Sequence, residues 1–99
     1  MEIVICSYTV KPGKETEFLN VVKRHWPTLD RLELVAQQPR LLLRGTGKEN
    51  ANEFVEIYAW KDAESARTAH QAPAVLALWE PMEQICESVK FPHYAPVAL

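Results

Sequence analysis

The chain has 99 residues, 47% of them hydrophobic and 24% charged, with 13 acidic and 11 basic side chains and a formal net charge of −2. This length and composition predict one globular domain covering residues 1–99 and exclude a disordered chain. Charges are interspersed without a basic stripe, so nucleic acid is not an expected partner. The longest strongly apolar run, 72–79, is far shorter than the roughly 20 residues of a membrane span, so no membrane partner is expected.

The N-terminus and the cysteines both predict a cytoplasmic protein. The first residues lack the basic segment and cleavage site of a signal peptide. Cys6 and Cys86 are the only two cysteines and lie far apart in the chain. We therefore expect two buried, reduced thiols rather than a disulfide.

The chain begins with a predicted strand and helix. Residues 2–10 are rich in β-branched side chains and end at the breaker Lys11-Pro12-Gly13. Pro27 lacks an N–H and clashes with the preceding turn, so the helix should kink or split at Trp26, with its second part at 28–35. Apolar residues of this helix recur at helical spacing: Phe18, Val22, Trp26 and Leu29.

The middle of the chain predicts a hairpin. A short strand at 40–46 and a loop at 45–52 precede a strand at 53–60, which has the clearest alternation in the sequence. One face of this last strand carries Val55, Ile57 and Ala59, and the other carries Phe54, Glu56, Tyr58 and Trp60.

Two further helices and a strand complete the chain. Asp62 is a natural N-cap for a short helix at 63–71, and Pro73 suits the first position of another. Pro81 predicts a bend in that second helix. Residues 88–94 are predicted to form a last strand, which its proline places at an edge or a bulge. The second helix carries an apolar stripe: Val75, Leu78, Trp79, Met82, Ile85 and Cys86.

The order β-α-β-β-α-(α)-β predicts an α+β, ferredoxin-like fold with a four-stranded antiparallel sheet and helices on one face. The uncovered face should then be polar, but the first and third strands are apolar on both faces. A second copy packed on that face would remove the exposed patch, so a homodimer is predicted. The alternative cover, the tail 94–99, is too short for a whole sheet face.

Three segments resemble the antibiotic biosynthesis monooxygenase (ABM) family over about residues 3–88. The segments are Tyr8-Thr-Val-Lys-Pro-Gly-Lys-Glu15, Phe54-Val-Glu-Ile-Tyr-Ala-Trp60 with Lys61-Asp62-Ala63-Glu64, and Ala69-His70-Gln-Ala-Pro73 with Val75 and Leu78-Trp79. The resemblance implies a dimeric α+β barrel with two sheets face to face. It also implies one of several activities, since relatives include cofactor-independent monooxygenases of quinols and anthrone-like aromatics, haem-degrading enzymes, and proteins without an assigned reaction.

The haem-degrading branch does not fit these residues. Its members resemble one another in a first-strand Asn, where this chain offers Cys6 or Ser7, and in an iron-binding His, whose position falls near Trp79-Glu80. Neither Trp nor Glu is a usual haem ligand. No cofactor is therefore expected.

His70 and Glu56 are the leading candidates for chemistry. His70 ends a short helix before Pro73, where an imidazole could accept a phenolic proton, or could simply cap the helix C-terminus. Glu56 shares a strand face with aromatic residues, which suits an acid–base or anchoring group. Its alternative role is a structural salt bridge, for example with Arg44.

The remaining candidates would complete a pocket. Glu80, beside the bend at Pro81, joins His70 and Glu56 as a catalytic candidate. A metal site is not predicted, because the possible ligands His25, His70, His93 and Glu80 show no close-spaced pair. Five residues are predicted to bind substrate: Tyr8, Trp26, Trp60, Trp79 and His93.

The favoured function is cofactor-independent oxygenation of a small aromatic or quinol-type substrate. His70 would act as the base, and Glu56 or Glu80 would orient it or the substrate. Whether the chain is an enzyme stays open, and two alternatives remain on the same dimeric scaffold: a non-catalytic small-ligand-binding or interaction protein, and a proton-transfer isomerase.

Overall fold

The computed structural model describes residues 2–99, and within them the chain forms five strands and four α-helices. A single 3-10 turn, Lys48–Asn50, lies in the predicted hairpin loop. The strands are β1 (Ile3–Val10), β2 (Val35–Arg44), β3 (Glu53–Trp60), β4 (Cys86–Lys90) and β5 (His93–Tyr94). The helices are α1 (Glu15–Val22), α2 (His25–Arg31), α3 (Ser65–Ala69) and α4 (Pro73–Gln84).

The strands form one antiparallel sheet in the order β2-β3-β1-β4, with β5 also paired to β1. This arrangement confirms the α+β, ferredoxin-like prediction. The predicted last strand is divided into β4 and β5 by Phe91-Pro92. Pro92 has no N–H to donate, yet its carbonyl accepts a hydrogen bond from the Ile5 N–H at 3.1 Å, so the sheet continues across the interruption.

The first helical region differs from its prediction in where it breaks and ends. The break falls at Lys23-Arg24, and Pro27 occupies the third position of α2, where its missing N–H would have had no helical partner. Glu33 adopts a positive φ of 59°, which ends the helix before Val35. Strand β2 therefore starts at Val35 instead of residue 40, with an irregular register between Val35 and Arg40.

Two smaller expectations for the second half, the N-cap at Asp62 and the helical position of Cys86, are also corrected. Asp62 lies three residues before α3 begins and is not its N-cap, although its carboxylate accepts the Glu64 N–H at 3.0 Å. Helix α4 continues through Pro81 to Gln84. Cys86, which was placed on the helical stripe, is instead the first residue of β4.

The alternation of both central strands is confirmed. Toward the helices β1 buries Val4, Cys6, Tyr8 and Val10, and β3 buries Phe54, Glu56, Tyr58 and Trp60. The opposite face, named the open sheet face here, carries Ile3, Ile5, Val55, Ile57, Leu41 and Leu43.

The open sheet face leaves large apolar side chains in contact with solvent. Leu41 is 51% exposed and Leu43 is 48% exposed. The molecule is a slab of 38 × 36 × 18 Å, as expected for one layer of helices on one sheet. No helix within residues 2–99 has both the length and the apolar character needed to cross a bilayer.

Candidate functional site

A cavity of about 240 Å³ lies between the sheet and the helices. Strands β1 and β3 form its floor, while α2, α3 and α4 and the chain around β4 and β5 supply its walls. Apolar and aromatic side chains dominate the lining, as in typical small-molecule sites. The cavity brings together five of the residues predicted from the sequence: Tyr8, Trp60, His70, Trp79 and His93.

Behind this cavity runs a buried chain of four hydrogen-bonded side chains. The Tyr8 hydroxyl donates to Glu56 Oε1 at 2.8 Å. His25 Nδ1 lies 2.9 Å from both carboxylate oxygens of Glu56. The Trp79 indole N–H donates to His25 Nε2 at 2.8 Å. We call these four residues the Tyr8–Trp79 chain.

The elements of the fold bring these side chains together for separate reasons. Strand alternation turns Tyr8 and Glu56 toward the helices. The antiparallel register sets Glu56 opposite Cys6, which is two residues from Tyr8 on the same face of β1. His25 begins α2 and is 1% exposed. Trp79 comes from the inner side of α4. Buried polar groups need partners, and these four satisfy one another.

The partners determine the protonation of His25. An indole N–H can only donate, so Nε2 of His25 accepts and carries no proton. The proton of the neutral imidazole therefore sits on Nδ1 and points at Glu56. In this chain Glu56 therefore accepts from two donors, the Tyr8 hydroxyl and the His25 Nδ1–H.

His70 and His93 border the cavity near solvent. His70 is exposed, and its ring packs edge-on against Trp79 with centroids 4.8 Å apart. His93 Nδ1 pairs with Glu2 Oε1 at 3.0 Å, on the exposed strand β5. Of the two, His70 has the ring that meets the aromatic wall.

Three predicted site residues do not line the cavity. Glu56 lies behind the cavity and is connected to it only through Tyr8 and His25. The predicted salt bridge of Glu56 with Arg44 is not formed, because the Arg44 guanidinium donates to the Ala51 carbonyl at 2.8 Å. Glu80 is exposed and outside the lining, in which Glu83 appears.

Trp26 lies at a separate, smaller pocket of about 190 Å³. There the Arg40 guanidinium stacks 4.0 Å from the centroid of the Trp26 ring. Trp26 is therefore not among the residues that line the main cavity.

Burial and the Glu56 charge act on the neighbouring acidic protons. Burial, and after it the charge of Glu56, raises the pKa of the Cys6 thiol from 9.0 to about 12. Burial first and Glu56 second also raise the pKa of the Tyr8 hydroxyl well above its ordinary value. For Tyr58, burial is again the main cause of a raised pKa, followed by the charges of Cys6 and Glu56. These groups therefore stay protonated at neutral pH.

Within residues 2–99, no three His, Cys, Asp or Glu side chains come together in a way that could hold a metal ion. Both ring nitrogens of His25 are already engaged by Glu56 and Trp79.

His25 is the functional residue that sequence reasoning underestimated. It lies three residues after Val22 and four before Leu29, so it occupies the buried stripe of its helical region. A His on such a stripe needs buried polar partners. Glu56, the acidic residue on the inward face of β3, was the available signal.

The fold and the cavity define an α+β domain with a ligand-sized space between sheet and helices. Solved structures share this architecture. A variant of SnoaB, a cofactor-independent oxygenase from Streptomyces nogalater, is 20% identical, with a TM-score of 0.82 over 99% of this chain and 94% of that one. An antibiotic biosynthesis monooxygenase is 15% identical, with a TM-score of 0.81 over 99% and 100% of the two chains.

A third similar structure has a different description. It is an uncharacterized NIPSNAP domain protein from Burkholderia xenovorans, 17% identical, with a TM-score of 0.68 over 99% of this chain and 96% of that one. No protein-family model matches the sequence, and no curated protein is significantly similar to it. The likeness is therefore one of fold, which is that of the ABM proteins.

Proposed function

We propose that this protein is a cofactor-independent monooxygenase acting on a small aromatic or quinol-type substrate. The observation that carries the proposal is the position of His70, whose imidazole borders an apolar cavity and packs against Trp79. A planar ring bound there would lie among Tyr8, Trp60 and Trp79, with its phenolic oxygen near a base.

The proposed reaction needs only the substrate, oxygen and a base. The His70 imidazole accepts the acidic proton of the substrate, which leaves an electron-rich anion. One electron passes to oxygen, and the resulting radical pair combines to form a C–O bond. The His70 imidazolium returns its proton to the terminal oxygen of the resulting peroxide. Loss of the C–H proton at the same carbon then breaks the O–O bond, which leaves one oxygen atom as a carbonyl on the product. The other leaves as water, so the substrate supplies all the electrons.

Structural similarity supports the class of reaction. SnoaB is described as a cofactor-independent oxygenase, and it shares the fold over nearly the whole chain. Fold alone does not fix chemistry, so the site must carry the rest. The supporting site feature is the pairing of an exposed imidazole with an otherwise apolar, aromatic lining.

The experiment is oxygen uptake by the purified protein with anthrone as the substrate, corrected for the rate without protein. His70→Ala should reduce uptake to that background, whereas the matched variant His93→Ala should retain most of it, because His93 is engaged by Glu2. Full uptake by His70→Ala would remove His70 from the mechanism.

A second candidate function is ligand binding without catalysis. It is favoured by the state of the two acids: Glu56 is fully engaged by Tyr8 and His25, and Glu80 lies outside the cavity. Of the three predicted catalytic residues, only His70 then lines the cavity, where a single base would also suit a proton-transfer isomerase. Binding of anthraquinone without oxygen uptake from anthrone would favour the binding function.

We propose in addition that two copies pair through their open sheet faces. Leu41 and Leu43 are about half exposed there, next to the half-buried Val55 and Ile57. The C-terminal residues do not provide a cover, since Tyr94 and Val97 are themselves 52% and 81% exposed. A two-fold axis brings the same apolar face onto itself and removes both from water.

The cysteines are consistent with a cytoplasmic location, which we also propose. Cys6 and Cys86 are both free and buried. Proteins of oxidising compartments more often use such residues as disulfides.

A further inference from the structure

We propose that the buried Glu56 carboxylate makes the cavity selective for ligand charge, so that it takes neutral or cationic aromatic molecules and rejects those that carry a carboxylate. This inference rests on the cavity being the ligand site of the proposed function. It narrows the substrate class to aromatic molecules that carry no carboxylate.

The first step is that Glu56 is charged. Tyr8 donates to it at 2.8 Å, and the His25 proton is directed at it because Trp79 occupies the other ring nitrogen. Both hydrogen-bond partners of Glu56 therefore donate to it, as they do to an ionised carboxylate.

The second step is that the charge is not neutralised. His25 is the ion-pair partner by distance, but as a neutral imidazole it brings no positive charge. Within residues 2–99 no Lys or Arg forms an ion pair with Glu56. Lys23 and Arg40 lie at the smaller pocket, which Glu56 also borders, and not in the main cavity.

The third step is that the cavity has no compensating charge of its own. The described residues that line it include no Lys or Arg, and its ionisable lining groups near solvent are His70, His93 and Glu83. Glu56 is 4% exposed, so water screens its field weakly. Tyr8 and His25 both line the cavity, and a single hydrogen bond separates each from Glu56.

The same charge is compatible with proton transfer inside the cavity. Transfer from a bound phenol to His70 creates one positive and one negative group together, so the net charge of the cavity does not change. The Glu56 field opposes a ligand that arrives as an anion more than it opposes this internal transfer.

The test uses three naphthalene probes of similar size: 2-naphthylmethanol, 2-naphthoate and 2-naphthylmethylammonium. Their dissociation constants are measured by calorimetry without any turnover. An apolar cavity alone would penalise both charged probes equally, because it removes water from either charge. With the Glu56 field, the ammonium probe should bind at least about tenfold more tightly than the carboxylate probe.

Glu56→Gln keeps the side-chain shape and removes the charge. The dissociation constants of the two charged probes should therefore agree within about twofold for this variant. Glu83→Gln, at the solvent-exposed edge, should leave the preference for cation over anion in place. Equal binding of the two charged probes by the unaltered protein would overturn the proposal, whether or not any variant folds. Failure of anthrone oxygenation would refute the proposed reaction alone, because the probe measurements do not depend on it.

Discussion

Trp79 and His25, which belong to different helices, are joined by a hydrogen bond of 2.8 Å from the indole N–H to Nε2. The bond fixes the imidazole as the tautomer that donates to Glu56. It also holds the indole ring at the cavity, where the ring packs against His70. His25 is therefore a positioning residue for Trp79 and is not free to act as the base.

The first prediction concerns substitution of His25. His25→Leu leaves the Trp79 indole without a partner and the buried Glu56 carboxylate with Tyr8 alone, which should lower the free energy of unfolding by about 3 kcal/mol. His25→Gln can still donate to Glu56 and accept from Trp79, so the free energy of unfolding should fall by only about 1 kcal/mol. Urea denaturation of the two variants measures this difference.

The indole N–H signals in a ¹H–¹⁵N spectrum provide an independent check. The Trp26 and Trp60 N–H groups are buried without a partner in the structure, so the Trp79 signal should stand apart at low field. It should move in His25→Leu and stay in His25→Gln, with Trp79→Phe giving the assignment. An unchanged signal in His25→Leu would contradict the hydrogen bond.

The second prediction is for Tyr8, the other donor to Glu56. Tyr8→Phe keeps the ring packed against Phe18, 4.9 Å between centroids, and deletes only the hydroxyl. Loss of a hydrogen bond to a buried charge should lower the free energy of unfolding by about 2 kcal/mol. Tyr94→Phe, on the exposed strand β5, is the matched control and should change stability by less than about 0.5 kcal/mol. Equal effects of the two changes would argue against the Tyr8 contact.

The fold could be predicted from the sequence because its signals are local. Alternation along β3 correctly grouped the residues that share a face, but which face turns toward the helices became clear only from the structure, where Tyr8 and Tyr58 are buried. Element ends were less predictable, since they depend on conformations such as the positive φ of Glu33 that no propensity specifies.

The site was predictable only as a list of residues. His70 and Trp60 were placed at the cavity by their elements, but Trp26 and Glu80 turn elsewhere. The Tyr8–Trp79 chain joins residues 48 and 54 positions apart, and such contacts are set by how helices settle on the sheet. Spacing along one element carries no information about that packing.

The third prediction tests the pairing of copies. Leu41→Lys together with Leu43→Lys places two charges on the open sheet face, where dimer formation would bury them. Burying each leucine contributes about 2 kcal/mol, so the double variant should weaken association by at least about a hundredfold. Sedimentation velocity at micromolar concentration should then show a dimer for the unaltered protein and a monomer for the variant.

The matched control for the pairing is Leu76→Lys. Leu76 is 42% exposed on α4, on the helical side of the molecule, so its change should leave the sedimentation of the dimer unaltered. If the unaltered protein sediments as a folded monomer at these concentrations, the proposed pairing is wrong. Dissociation by Leu76→Lys would instead place the interface on the helices.

The last prediction follows from the raised pKa of Cys6. Burial and the Glu56 charge move this pKa from 9.0 to about 12, so the folded protein keeps a proton that the unfolded chain loses above pH 9. The contribution of the Cys6 proton to the free energy of unfolding is fully present below pH 9 and is lost as the pH rises toward 12. For one such group, the free energy of unfolding falls by up to about 1.4 kcal/mol per pH unit in this range. Cys6→Ala has no thiol proton to lose. Urea denaturation between pH 8 and 11 should therefore show a shallower decline in the free energy of unfolding for this variant than for the unaltered protein. Parallel declines would refute the raised pKa of Cys6.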